Sequence, residues 1–175
     1  QRQMCIRDSQ GKVLYDMLVS QDFLRHRVEK SILIEYDLFC EDVLIKKLNM
    51  YNLRKEVKIE KTNYYVYVSI NPKSSENSLR DKRFSNASIN INRIYYKKKP
   101  IDLIDKSYTS NWYDLIRYKN CIPEGTKEIE INTTLPMEIN LDLLGGISFE
   151  KGCFIGQEVN AVSYTHLRAH ETSGY

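Results

Sequence analysis

The chain has 175 residues, with 26 Lys+Arg against 23 Asp+Glu and a formal net charge of +3. That length suffices for one domain with a sizeable core, and the slight basic excess is no nucleic-acid footprint, which needs a strongly clustered basic face. No apolar run approaches the roughly 20 residues of a membrane span, and Cys40, Cys121 and Cys153 stand far apart without C-x-x-C spacing, which argues against a disulfide framework or zinc knuckle and favours a reducing compartment.

Residues 1–9 (Gln-Arg-Gln-Met-Cys-Ile-Arg-Asp-Ser) and 162–175 (Val-Ser-Tyr-Thr-His-Leu-Arg-Ala-His-Glu-Thr-Ser-Gly-Tyr) resemble translated adapter read-through. Processing scars are kept out of fold reasoning, and these ends are set aside in the same way. Doing so removes three basic and two acidic residues and leaves a net +2. It also removes Cys5 and the His166/His170 pair, whose spacing otherwise suggests a metal site. No metal ligand set remains. The expected domain is residues 10–161, truncated at both ends.

Within it, Lys12–Val19 and Ser31–Tyr36 read as strands flanking a polar turn that carries His26, a surface histidine with no visible partner for general-base work. Glu41–Tyr51 places Val43, Leu44, Leu48 and Tyr51 on a helical stripe, with Asp37 as a candidate cap and Asn52 near the end. Val57–Ile59 and Tyr64–Ile70 read as two strands, and Asn71–Asn77 as a polar loop. Ile89–Tyr96 alternates Ile89, Ile91, Arg93 and Tyr95 as a further strand, ending in the short basic run Lys97–Lys99, a solvated strand end. Ser107–Lys119 carries Tyr108, Trp112, Leu115, Ile116 and Lys119 at helical spacing, and Ile122-Pro123-Glu124-Gly125 ends it. Strands and helices alternate without regular βαβ spacing. The expected class is α+β with a mostly antiparallel sheet.

The chemistry concentrates in Lys151-Gly152-Cys153-Phe154-Ile155-Gly156-Gln157-Glu158. A thiolate is the reactive form of cysteine, and a neighbouring ammonium or a helix start favours it. Lys151 can supply the first, and a helix beginning near Gly156 the second. Gly152 permits a sharp turn or a close ligand approach. Gln157 and Glu158 fall in the first turn of that helix, where Glu suits the dipole and Gln can bond a ligand. The plainer alternative is a small packed residue in a turn. Cys40 and Cys121 lack such surroundings and are assigned to packing.

This run matches the K-G-C-[YF]-x-G-Q-E signature, and the chain resembles the folate-binding YgfZ family, relatives of the glycine-cleavage T-protein (aminomethyltransferase). The segments Gln10–Asp16, Leu48–Val57, Ile116–Gly125 and Leu135–Glu158 resemble the family's motifs in the same order. The resemblance implies a T-protein-like folate-binding fold with a central cavity, whose C-terminal β-barrel is missing here. It implies a tetrahydrofolate-binding assembly factor for [4Fe–4S] proteins rather than an enzyme. Its cofactor would be tetrahydrofolate, with an iron–sulfur cluster held transiently, and its partners folate, assembly proteins and client apoproteins. It would act as a monomer, in a bacterial cytoplasm or, alternatively, the mitochondrial matrix. On that basis Cys153 is the functional thiol with Lys151, Gln157 and Glu158 as companions, and Asp16, Arg117, Glu138 and Asn140 are the cavity-lining candidates. Without the family, Glu138 and Asn140 equally suit capping and turns, and Asp16 a strand-edge carboxylate.

The chain departs from the family at Cys121, where glycine is usual, and at Phe154, where tyrosine is common. A true aminomethyltransferase is the runner-up. T-proteins carry adjacent aspartates where this chain has Tyr15 and Asp16, and a glutamate where it has Lys119, so the carboxylates such a site needs are depleted. The third reading is a binding module whose cysteine is merely packed.

Overall fold

The computed structural model describes residues 2–8, 10–21, 31–71, 77–99, 110–148, 161–162 and 165. Among the described residues the main elements are two three-stranded antiparallel sheets and two α-helices. The first sheet orders β1 (Arg2–Arg7), β2 (Val13–Gln21) and β3 (Ile32–Tyr36) with β2 in the centre. Helix α1 (Glu41–Tyr51) follows. The second sheet places β6 (Ile91–Tyr96) between β4 (Tyr65–Ile70) and β5 (Ser78–Arg80), and α2 (Ser110–Lys119) follows it.

Most of these elements follow the local pattern of the sequence. β6 buries Ile91, Arg93 and Tyr95 and leaves Asn92, Ile94 and Tyr96 half-buried, the period-2 alternation of a strand. In α1 only Leu44 is fully buried. Leu48 is half-buried, while Val43 and Tyr51 are exposed, so the packed stripe is narrower than the spacing suggests. Asp37 caps a 3₁₀ turn over Leu38–Cys40 that runs into α1, accepting from the Phe39 N–H at 3.1 Å, rather than capping α1 directly.

The structure differs from the sequence reading at one segment and adds two strands to it. Val57–Ile59 is not a strand. The Asn52 side chain donates to the Val57 carbonyl at 2.6 Å and accepts from its N–H at 3.3 Å, so neither backbone group of Val57 is left for a ladder. Residues 2–7, set aside as an artefact, pair along β2 from Arg2↔Val19 to Arg7↔Val13, and Gln3 is fully buried. β5, within a stretch read without a strand, pairs with β6 from Ser78↔Ile94 to Arg80↔Asn92.

Two apolar clusters stand out in the core of the described residues. One joins Val13 of β2 to Ile129, Met137, Ile139, Leu141 and Ile147. The other joins Phe84 and Ile91 to Ile116 and Ile122, with Trp112 and Leu144 against it. The segment 132–148 therefore touches both. Its start is stitched to β2, where the Val13 N–H donates to the Thr134 carbonyl and the Asn132 N–H to the Val13 carbonyl, each at 2.9 Å. Gly146 lets it come close, since a Cβ there would lie 2.6 Å from Leu141 Cγ and 2.7 Å from the Gln3 carbonyl oxygen.

α2 closes with a Schellman arrangement. The Ile122 N–H reaches the Arg117 carbonyl at 3.0 Å, and Cys121 takes a φ of 52°. Cys121 is exposed, which corrects its assignment to packing. It stands at the left-handed position where a glycine is the residue of least cost. Cys40 is buried, as its assignment required.

Candidate functional site

The two sheets meet through a set of buried charges. Arg83 and Arg93 expose 1% and 4% of their side chains, and Asp81 exposes 1%. Asp81 sits just after β5 and forks onto Arg83, with Nε to Oδ1 at 2.9 Å and Nη2 to Oδ2 at 2.6 Å. It also receives Arg93 Nε at 3.4 Å. From the first sheet, Glu35 of β3 pairs with Arg93 Nη1 and accepts from the Tyr95 hydroxyl at 2.9 Å. From the turn after α2, Glu124 takes Arg83 Nη2 at 2.7 Å and Arg93 Nη2 at 2.8 Å. The Tyr113 hydroxyl of α2 donates to Glu124 at 2.8 Å and accepts from Arg83 at 3.1 Å.

Burying two guanidinia is costly unless each is paired, and here both are. The carboxylates respond in opposite directions. Burial alone would raise Glu124, but Arg93 and Arg83 outweigh it and draw its pKa down to about 2. Burial likewise opposes Arg83 and Arg93 at Asp81, which stays below the usual carboxylate range. Glu35 goes the other way. Burial lifts it and Glu124 adds repulsion, and Arg93 with the Tyr95 hydroxyl does not fully compensate. Asp16 is also raised, by burial first and by Glu124, against the Gly125 N–H and Arg83. Burial keeps Tyr113 protonated, so its hydroxyl serves as a donor.

The sequence-predicted residues divide three ways. Asp16 lies at this junction, on β2, accepting from the Gly125 N–H at 3.2 Å. Arg117 stands on the other side of the same turn. It forks onto Glu128 at 2.7 Å through both terminal nitrogens, reaches Asp114 at 2.6 Å and the Ile122 carbonyl at 3.1 Å, and lies 5.2 Å from the Tyr113 ring centroid. It is 5% exposed and holds α2 to the turn. Glu138 and Asn140 are not brought to Asp16. Glu138 is exposed and accepts from the Leu135 N–H at 2.7 Å, while Asn140 takes a φ of 54° within the tight turns of 135–145. Lys151, Cys153, Gln157 and Glu158 lie outside the described residues, as does His26.

Sequence reading missed Asp81, Arg83, Arg93, Glu124 and Glu35. The available signal was Arg93, a charged residue on the Ile91–Tyr95 face of a strand. Among the described residues, no group of three or more His, Cys, Asp or Glu is placed to hold a metal ion. The arrangement is a polar junction between two sheets, with a half-buried carboxyl at its margin. No helix among the described residues is long and apolar enough to cross a membrane.

No family profile matches the chain. It is similar to proteins of iron–sulfur cluster assembly. It is 28% identical to the mitochondrial iron–sulfur cluster assembly factor IBA57 of Mus musculus over 177 residues, covering 93% of this chain and 48% of that protein. It is 27% identical to the protein of the same name from Homo sapiens over 166 residues, covering 87% and 46%. A homologue from Phaeosphaeria nodorum agrees more closely over a short stretch, 52% over 50 residues. The chain spans about half the length of the two mammalian relatives. Its homologues are thus iron–sulfur cluster assembly factors, and their names place them in mitochondria, on the side of the mitochondrial alternative rather than the cytoplasmic reading.

Proposed function

We propose that the chain is the folate-binding part of an iron–sulfur cluster assembly factor, one that matures or repairs [4Fe–4S] proteins in the mitochondrial matrix with Cys153 as its working thiol. The observation that carries this reading is the similarity to assembly factors over 86–93% of the chain. The run Lys151-Gly152-Cys153 with Gln157 and Glu158 adds a thiol beside an ammonium. The fold would be T-protein-like, and the factor a monomer that meets assembly proteins and client apoproteins. The cluster is its cargo.

Tetrahydrofolate, when bound, supplies a reduced pterin ring able to carry a one-carbon unit. Two groups at the junction suit such a ring. Asp16 is a half-buried carboxyl with a raised pKa, able to hold a proton or accept from a ring N–H. Arg83 Nη1 is buried with no partner among the described residues, a donor with capacity left. Arg117 is engaged within the chain and would act through the shape of the turn after α2, and Glu138 and Asn140 through the shape of the turns of 135–145. The transferase reading is weaker, because Tyr15 and the exposed Lys119 bring no carboxylate to the positions where T-proteins have them.

The test is reconstitution of a [4Fe–4S] client apoprotein, alongside a tetrahydrofolate titration read by the fluorescence of Trp112. Cys153→Ala abolishes the stimulated reconstitution and Cys40→Ala keeps it. Asp16→Asn weakens the titration at least several-fold. Full stimulation by Cys153→Ala removes the working thiol from the proposal, and turnover in a glycine-cleavage assay selects the transferase.

A further inference from the structure

The turn Pro123–Thr126 is tied to other elements at four consecutive residues. Gln3 Nε2 of β1 donates to the Pro123 carbonyl at 3.0 Å. Glu124 holds Arg83 and Arg93. The Gly125 N–H donates to Asp16 of β2 at 3.2 Å. The Thr126 N–H and hydroxyl donate to Asp37, just after β3, at 3.0 and 2.8 Å. Gly125 takes a φ of 78°, and a Cβ there would stand 3.1 Å from an Asp37 carboxylate oxygen. The backbone between the two carboxylates and Glu124 therefore has little slack.

We propose that this turn is a lock that passes the setting of the first sheet to the arginine pair of the second, with Asp16 and Asp37 as positioning residues for Glu124. Two routes lead from Thr126 to Arg93: along the peptides back to Glu124, and through Asp37 along the chain to Glu35 of β3, which pairs with Arg93 directly. The lock matters beyond its own residues. Ile147 packs in the first core and Leu144 against the second, so the segment leading towards Cys153 is fastened across the same junction. Loosening the turn changes the frame from which that segment departs. The inference stands on these bonds and does not depend on the folate reading.

Thr126→Val tests it without changing any charge, so a direct Coulomb interaction with Arg93 does not enter. It is combined with Arg93→Lys in the full chain carrying Glu35→Ala, which removes the direct bond from β3 to Arg93, and unfolding is measured in urea. Sites without a path between them add to within about twofold in the unfolding constant. The lock predicts a departure from additivity larger than that, and agreement within about twofold overturns it. If Arg93→Lys does not fold, the NMR resonance of the Arg93 Nε–H decides. It moves in Thr126→Val while that of the exposed Arg80 stays, and an unmoved Arg93 resonance overturns the lock.

Discussion

Replacing Glu124 with glutamine removes one charge from the junction and keeps the shape of the side chain. Two buried guanidinia, Arg83 at 2.7 Å and Arg93 at 2.8 Å, then face an amide in place of a carboxylate. The Glu124 side chain is only 28% exposed, so solvent screens the loss weakly. Its pKa lies at about 2 rather than the ordinary 4.5. At about 1.4 kcal/mol per unit, that difference corresponds to roughly 3–4 kcal/mol of net favourable interaction at neutral pH, burial already deducted. Breaking a buried pair from one side typically costs about 3–5 kcal/mol, which is consistent. Relief of repulsion on Glu35 and Asp16 returns part of it, so Glu124→Gln is expected to lose about 2–3 kcal/mol.

The pH dependence is the sharper half of this prediction. A carboxyl with a depressed folded pKa contributes stability that is fully present above the unfolded value and is lost as pH falls through the folded value. The gap between the original chain and Glu124→Gln is therefore full at pH 6–7 and closes between about pH 4.5 and 2. Urea unfolding followed by Trp112 fluorescence measures it, since Trp112 packs against the second core. A loss below about 1 kcal/mol, or one that stays constant from pH 6 to pH 3, refutes the reasoning.

Leu141 is fully buried in the first core, so Leu141→Ala is expected to cost about 2–5 kcal/mol in urea unfolding. Cys121 holds a φ of 52° at an exposed helix end, and Cys121→Gly should raise stability by about 0.5–1 kcal/mol, visible as a higher denaturation midpoint with an unchanged slope. Asp16 and Glu35 have folded pKa values above their ordinary ones. The folded chain thus keeps protons that the unfolded chain has released, and these two groups make stability fall as pH rises from the ordinary carboxylate range through the raised values. The double variant Asp16→Asn, Glu35→Gln should lose that downward component, and a slope unchanged from the original assigns it elsewhere.

Much of the architecture was legible because helix and strand periods are local. The alternation through Ile91, Arg93 and Tyr95 gave β6, and the spacing of Trp112 and Ile116 gave α2. Val57–Ile59 misled because a single side chain, Asn52, captured both backbone groups of Val57, and strand propensity cannot register such a competitor. β5 is three residues long, too short for a period to declare itself. The Leu135–Glu138 bond and the left-handed φ of Asn140 belong to a run of tight turns that has no period for the sequence to display.

By itself the sequence determined the order of β2, β3, α1, β4, β6 and α2, the motif around Cys153 and the punctuation at Pro123 and Gly125. Only the tertiary structure decided that the same punctuation is the buckle of the molecule. Glu35 and Arg93 are 58 residues apart, and Asp37 and Thr126 are 89. No window of local periodicity spans such distances, and an arginine on an apolar strand face reads as a misfit until its carboxylates arrive from elsewhere in the chain. Burial makes that meeting obligatory, because a guanidinium removed from water must find its counter-charge within the fold.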